Sequence, residues 1–200
     1  MRGSIEVIAG GMFSGKTEEL LRRVRRELYA AKSVQLFKHA LDERYAAESV
    51  VTHDRIALPC VPVQSSEELR RHVRAQTRVV GIDEANFFDD GLVTVVQQLA
   101  DDGMRVMLAG LDMDFRRVPF GPMSALLSIA DEVMKIRAVC ITCGEPANYS
   151  YRCEGGDDVV QVGSSDAYEA RCRTCFHMGT RICAVPHEQR PTLNIGASAL

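Results

Sequence analysis

Ile5-Glu6-Val7-Ile8-Ala9 runs straight into Gly10-Gly11-Met12-Phe13-Ser14-Gly15-Lys16-Thr17, and a helix-patterned stretch follows at once. Strand, glycine turn and helix in that order, spaced G-x-x-x-x-G-K-S/T, describe a loop whose backbone amides curl around phosphate oxygens. The helix opening near Lys16 aims the positive end of its dipole at the same point. In such a loop the lysine bridges the β- and γ-phosphates and the threonine hydroxyl ligates Mg²⁺. Gly10, Gly11, Met12, Phe13, Ser14, Gly15, Lys16 and Thr17 are therefore assigned to ATP, with Mg²⁺ at Thr17. The plainer reading, a glycine-rich turn with a solvated lysine, fits poorly with a complete motif placed directly after a strand.

Outward from this unit, residues 4–141 alternate short β-branched apolar runs with helical patterns, as in a parallel sheet covered by helices on both faces. Strands are expected at 5–9, 33–37, 79–83 and 105–109, with weaker ones at 58–63 and 133–139. Leu20, Leu21, Val24 and Leu28 share one helical face, as do Leu92, Val95, Val96 and Leu99. Ser65 or Ser66, ahead of Glu67 and Glu68, caps a further helix. After Cys140 the texture changes to short polar runs, glycines and paired cysteines. The expected division is an α/β domain over 1–139, a small module over 140–183 and a disordered tail over 184–200.

Composition narrows the function classes. Among 200 residues, 46% apolar and 26% charged side chains exclude a disordered, collagen-like or coiled-coil chain. The 24 Lys and Arg against 27 Asp and Glu leave −3, too near neutral to draw the whole molecule onto nucleic acid. The longest apolar runs, such as residues 93–96, fall far short of the ~18 residues that span a bilayer. No secretory signal is legible at the start, so a cytoplasmic location is expected. There, seven cysteines read first as metal ligands rather than disulfides.

Val79-Val80-Gly81-Ile82-Asp83-Glu84 is an apolar strand ending in two carboxylates, where the Mg²⁺-holding Asp of such folds is expected. Alternation along a strand sends the two side chains in different directions, so Asp83 serves the metal and Glu84 faces a substrate as general base. Two other readings of Glu84 stand beside this one: a cap or ion-pair partner, and an ATPase residue that activates water. Cys140-Ile141-Thr142-Cys143 and Cys172-Arg173-Thr174-Cys175 are two C-x-x-C pairs separated by residues 144–171. Four thiolates around tetrahedral Zn²⁺ form a closed, structural site, the alternative being four reduced buried thiols. The separation exceeds a usual zinc ribbon, so chain must loop out, with strands expected at 148–152 and 159–162 and a tip at 163–171. Cys60, Cys153 and Cys183 lack a pair and read as packing residues, and His177 as a surface residue. Arg22, Arg23, Arg25 and Arg26 crowd one helix and read as a solvated or subunit-facing surface. Arg44 is a candidate clamp on a transferred phosphoryl group. Phe115 and Phe120, just past a strand end, fit either the wall of a flat-ring pocket or the core.

Taken in order, Gly10 to Thr17, Asp42-Glu43-Arg44-Tyr45, Thr52-His53-Asp54, Ile82 to Phe88, Leu111-Asp112-Met113-Asp114-Phe115-Arg116, Pro119-Phe120-Gly121 and Tyr168 to Cys175 closely resemble the type II thymidine kinases. The resemblance covers about residues 4–180. It implies a RecA-like P-loop α/β domain, a zinc-bearing lasso domain, and phosphorylation of the 5′-hydroxyl of thymidine or deoxyuridine by ATP. It also implies a homotetramer and feedback inhibition by dTTP. Carried over by position, Glu84 is the base, Lys16 and Thr17 the phosphate and Mg²⁺ groups, and Arg44 a phosphoryl contact. Met12, Phe87, Leu111, Phe115, Phe120, Val159 and Tyr168 form the thymidine pocket, with Gly163, Ser164 and Ser165 bonding the base through their backbone. Two positions depart from the pattern: Asn86 stands where the family commonly has Gln, and Ser164 where it frequently has Gly. The competing class is a P-loop ATPase whose zinc module binds nucleic acid, and the scarcity of Lys around the cysteine pairs argues against it. No stable nucleic-acid or membrane partner is expected.

Overall fold

In a computed structural model that describes residues 3–41, 49–51, 57–153 and 167–179, the apolar runs become the strands of one central sheet. The elements in chain order are β1 (Ser4–Ala9), α1 (Lys16–Tyr29), β2 (Val34–His39), β3 (Ser49–Val51), β4 (Ala57–Pro59), β5 (Val61–Val63), α2 (Ser66–His72) and β6 (Val79–Asp83). A single 3₁₀ turn (Ala85–Phe87) follows, then α3 (Gly91–Asp101), β7 (Arg105–Gly110), α4 (Met123–Ile129) and β8 (Glu132–Lys135). The chain continues through β9 (Ala138–Val139), β10 (Pro146–Ala147), β11 (Tyr149–Arg152), β12 (Tyr168–Arg171) and α5 (Arg173–Met178). Six strands lie in the order β5-β2-β6-β7-β1-β8, and every neighbouring pair is parallel. This is the parallel α/β sheet with helices on both faces that is expected from the sequence, with a small cysteine module appended.

Alternation along the strands decides which helix covers which face. Ile5, Val7 and Ala9 of β1 pack with Val106 and Leu108 of β7 against Leu92, Val96 and Leu99 of α3 and Met123 and Leu126 of α4. Ile8, Met107 and Ala109 point the other way, against Leu20, Leu21 and Val24 of α1. The Ser65 hydroxyl accepts the Glu68 N–H and caps α2. The run expected at 58–63 is two strands: Ala57–Pro59 pairs antiparallel with β3, while Val61–Val63 joins the main sheet beside β2. The run expected at 133–139 also divides, because β8 lies along β1 whereas Ala138–Val139 turns to pair with Pro146–Ala147. The strand expected at 148–152 is β11, antiparallel to β12. The strand expected at 159–162, the loop tip up to residue 166 and the tail at 184–200 lie outside the described residues.

Two expectations for α1 are corrected. Leu28 is 45% exposed, and Glu27 is buried near that end of the helix instead. Arg23 is not a surface residue: it is buried, because β1 places Glu6 on the face that α1 covers. Arg23 Nη1 donates to Glu6 Oε2 at 2.6 Å and to Glu132 Oε1 at 2.8 Å, and its Nε donates to Glu19 Oε1 at 2.8 Å. Arg105 of β7 completes the cluster, with Nε to Glu6 Oε1 at 2.5 Å and Nη1 to Glu27 Oε1 at 2.5 Å. Burial opposes the Glu6 carboxylate, yet the Arg105 and Arg23 hydrogen bonds outweigh it and hold Glu6 below the ordinary range. The Arg22 hydrogen bond, aided by Arg23, brings Glu19 down to about 2.

Removing one member of a buried charge cluster strands the others, which typically costs about 3 kcal/mol or more. Glu6→Gln should therefore lower the thermal melting temperature by roughly 10 °C, whereas Arg22→Ala, at an exposed pair, should melt close to wild type. Because both carboxyls titrate below their unfolded values, their stabilisation is present above about pH 4.5 and fades as the pH falls below it, for Glu19 toward about 2. Melting curves across that range should show the wild type losing its advantage over Glu6→Gln.

Candidate functional site

The carboxyl ends of parallel strands form a crevice, and the order β6-β7-β1 brings two decisive ends together there. At the end of β1 the chain bends through residues 10–15, with Gly15 in the left-handed region (φ +84°) immediately before α1. Gly10 has no room for a side chain, since a Cβ would lie 2.2 Å from the Ile136 carbonyl oxygen. Within the loop, Lys16 Nζ donates to the Gly11 carbonyl at 2.9 Å and Ser14 Oγ donates to the same oxygen at 2.8 Å.

Facing this loop, Asp83 ends β6 and is buried. Thr17 Oγ1, one residue into α1, donates to Asp83 Oδ2 at 3.1 Å. Burial, with the adjacent Glu84 carboxylate, pushes Asp83 up to about 7 against the pull of the Glu84 N–H, Lys16 and Thr17. A hydroxyl oxygen beside a carboxyl whose negative charge is disfavoured by burial makes an oxygen pair suited to Mg²⁺, a hard cation that would offset that charge. Glu84 follows in the left-handed region (φ +52°), which L-residues other than Asn and Asp rarely adopt, and it is half-buried. Strain of this kind at a strand end concentrates at functional positions.

The predicted pocket residues that are described fall on four segments, the first being the phosphate loop, which carries Met12. Phe87, on the turn after Glu84, meets Phe120 edge-on with centroids 5.5 Å apart. Leu111 follows β7, and its N–H donates to Asn86 Oδ1 at 2.8 Å. Asn86 is 1% exposed, so its shorter amide serves protein backbone, and its Nδ2 is buried without a hydrogen bond. Phe115 stands at the head of a tight turn that Asp114 organises by accepting the Arg116 and Val118 N–H groups at 2.8 and 3.0 Å. Phe115 and Phe120 join neither apolar cluster of the sheet, which favours the pocket-wall reading over core packing. Tyr168 opens β12, half-buried. Arg44, Val159, Gly163, Ser164 and Ser165 lie outside the described residues.

Sequence reasoning passed over Ser150 and Arg152. The alternation Tyr149-Ser150-Tyr151-Arg152 carries the signal: Tyr149 and Tyr151 turn to Phe176 of α5, and Ser150 and Arg152 turn to the α/β domain. Ser150 Oγ accepts the Met12 N–H at 3.0 Å, and a Cβ on Gly11 would lie 3.2 Å from the Asn148 carbonyl oxygen. Strand β11 thus rests directly on the phosphate loop.

Cys140 and Cys143 sit on a turn closed by Gly144 N–H donating to the Cys140 carbonyl at 2.8 Å, while Cys172 and Cys175 sit at the start of α5. All four Sγ atoms lie within 4.8 Å of one another, and no disulfide joins them. Burial disfavours the Cys140 thiolate, but backbone N–H groups from Cys172, Cys143 and Thr142 outweigh it and bring the thiol down to about 6. The neighbouring sulfurs, Cys143 foremost, push Cys175 up to about 12. Four thiolates this close repel one another unless a cation joins them, and an all-sulfur tetrad suits Zn²⁺. Cys60 is buried in the α1 cluster, Cys153 is half-buried, and Cys183 lies outside the described residues. His177 is exposed, and Arg117 Nη1 meets its Nε2 at 3.0 Å.

A thymidine kinase of Porphyromonas gingivalis (strain ATCC 33277) is 55% identical over 185 residues, which cover 92% of this chain and 88% of that one. One from Bacteroides fragilis (strain YCH46) is 51% identical over 175 residues, covering 88% and 87%, and one from Bdellovibrio bacteriovorus (strain HD100) is 46% identical over 193 residues, covering 96% and 91%. The family model described as thymidine kinase matches residues 3–176, and the chain belongs to the thymidine kinase family.

Proposed function

We propose that this chain transfers the γ-phosphoryl group of ATP to the 5′-hydroxyl of thymidine or deoxyuridine, giving dTMP from thymidine for deoxynucleotide salvage and DNA synthesis. The observation that carries the reading is the meeting of Thr17 with buried Asp83 beside the phosphate loop, with Glu84 turned out of the strand line immediately after it. Backbone amides of the loop at residues 10–15, other than that of Met12, cradle the triphosphate together with Lys16. Thr17 and Asp83 would hold Mg²⁺, which would supply neutralisation of the phosphate charge. Glu84 accepts the 5′-hydroxyl proton as the new O–P bond forms and the bond from the γ-phosphorus to the β–γ bridging oxygen breaks, leaving ADP. Arg44 contacts the transferred group.

Met12, Phe87, Leu111, Phe115, Phe120, Val159 and Tyr168 enclose the thymine ring, with backbone groups of Gly163, Ser164 and Ser165 on its polar edge. The same site accepts dTTP as a feedback inhibitor. Residues 140–183 act as a zinc-held lasso over the nucleotide-binding domain, 1–139. Assembly as a homotetramer draws support from β8, an edge strand that exposes Val133 (48%) and Met134 (40%). A cytoplasmic site of action is consistent with the described helices, none of which is long and apolar enough to cross a membrane. The near-neutral charge gives no basis for a stable nucleic-acid partner.

ADP release measured with thymidine, deoxyuridine, deoxycytidine, deoxyguanosine or no nucleoside tests the reading directly. Turnover should depend strongly on thymidine or deoxyuridine, and equal ADP release without any nucleoside would point to the ATPase instead. Glu84→Gln should lower kcat by about 10²-fold or more while ATP still binds, and an unchanged rate would remove Glu84 from the base role. Stripping the metal with a strong chelator should weaken thymidine binding and lower the melting temperature together, with recovery when Zn²⁺ is returned. Full activity in protein proven free of zinc is the contrary result.

A further inference from the structure

We infer that Arg152 is a positioning residue of the nucleoside site, the part that binds Phe115 of the α/β domain and Tyr168 of the cysteine module into one wall. The inference rests on the proposed assignment of Phe115 and Tyr168 to the thymine pocket. The guanidinium carbon of Arg152 lies 3.7 Å from the centroid of the Phe115 ring, a stacking contact. Arg152 Nε and Nη2 donate to the Tyr168 hydroxyl oxygen at 3.0 and 2.5 Å. The planar fork of an arginine can lie flat on one ring and donate edge-on to a second group, which lysine cannot do. With the phenol oxygen accepting both N–H groups, the phenol proton is directed away from Arg152.

Phe115 needs such a partner. It rides on a turn that Asp114 shapes through the backbone but that does not fix the ring, and it belongs to neither apolar cluster. The other cation near it, Arg116, is 5.6 Å from the ring centroid and is engaged by Asp114. Arg152 reaches it because β11 alternates: Ser150, on the same side of the strand, accepts the Met12 N–H of the phosphate loop. One strand of the module therefore touches the phosphate loop through Ser150 and the aromatic wall through Arg152. Loss of the guanidinium releases Phe115 and Tyr168 from each other while the phosphate loop, Asp83 and Glu84 stay in place, so nucleoside binding suffers and the chemical step does not.

Steady-state kinetics on the full chain, with thymidine and ATP varied separately, test this for wild type, Arg152→Ala, Arg152→Lys, Phe115→Leu and the Arg152→Ala/Phe115→Leu double variant. Arg152→Ala should raise KM for thymidine about tenfold, with kcat within about threefold and KM for ATP unchanged. Arg152→Lys should recover only part of the loss, and the effect of Arg152→Ala should shrink in the Phe115→Leu background. An unchanged thymidine KM in Arg152→Ala, or an ATP KM that rises by the same factor, overturns the inference. Should Arg152→Ala fail to melt cooperatively, Arg152→Lys decides: a thymidine KM equal to wild type overturns it, and a selective rise supports it. A wild-type chain that phosphorylates no nucleoside overturns the proposed function and this inference together, whereas an active wild type with an indifferent Arg152→Ala overturns this inference alone.

Discussion

Glu6 is a carboxylate on the covered face of a parallel strand, and its need for positive charge sets where α1 can lie. Arg23 from the helix and Arg105 from β7 meet it within 2.6 Å, and Glu19, Glu27 and Glu132 hold the other ends of those guanidiniums. A buried ionic cluster is weak evidence for stability, because hydrophobic residues of the same volume can do as well. Its value lies in register: a carboxylate fork and two arginines admit few relative positions, whereas Leu20, Leu21 and Val24 would tolerate a helix that slid or rotated slightly. The hydroxyl of Thr17 meets Asp83 only when the first turn of α1 stands at the right height over β6, and the helix is clamped at Arg23, a little under two turns further along. The geometry on which phosphoryl transfer would depend is thus set partly from the opposite side of the helix.

A second constraint joins the two parts of the molecule. The phosphate loop does not stand alone: Ile136 closes over Gly10, and the backbone at Asn148 closes over Gly11. The Met12 N–H is turned onto Ser150, leaving other amides of the loop for anionic oxygens. Any shift of β11 is therefore felt at the loop, and any shift of the loop is felt in the cysteine module. Physical continuity of this kind makes it reasonable that triphosphate and nucleoside, which touch different parts of the chain, are read by one connected surface.

Much of this was legible from residue order alone. The glycine loop, Asp83 and the two cysteine pairs announce themselves because their chemistry is tied to fixed local spacing. The covered faces of β1, β7 and α3 follow from periods of two and of about 3.6 residues. What stayed hidden depends on partners distant in sequence. Arg23 looks like one more surface charge until β1 places Glu6 beneath it, and Leu28 looks buried until α1 is seen to run past the edge of the cluster. The runs at 58–63 and 133–139 read as single strands because apolar character persists across Cys60 and Ile136, where the chain changes sheets. Asn86 is marked in the sequence only as a departure from the family's Gln, and its oxygen turns out to be taken by the Leu111 N–H. Ser150 and Arg152 sit in a four-residue strand, too short for a periodic signal to stand out before its surroundings are known.

The cysteine module explains why sulfur and arginine carry so much of this half of the site. Its buried apolar cluster consists of Ala138, Cys140, Ala147, Ala170 and Cys175, side chains that bury little area each. At about 25 cal/mol per Å² of apolar surface such a set contributes far less than the leucine and isoleucine layers beneath α1 and α3. Around it, Tyr151 meets Phe176 edge to face and Tyr149 meets it tilted, and Arg171, Arg117 and Arg173 lie over Tyr151, Phe176 and Tyr149 at 3.6, 4.9 and 5.2 Å. Those contacts orient the strands but need the strands already together, because cation–ring attraction falls away quickly with distance. A metal held by Cys140, Cys143, Cys172 and Cys175 would join the turn at Cys140 to the start of α5 and so supply the link that these small side chains do not. Arg152 and Tyr168 lie on the paired strands β11 and β12 of this module, so their contact with Phe115 would depend on the metal to the extent that the fold of the module does.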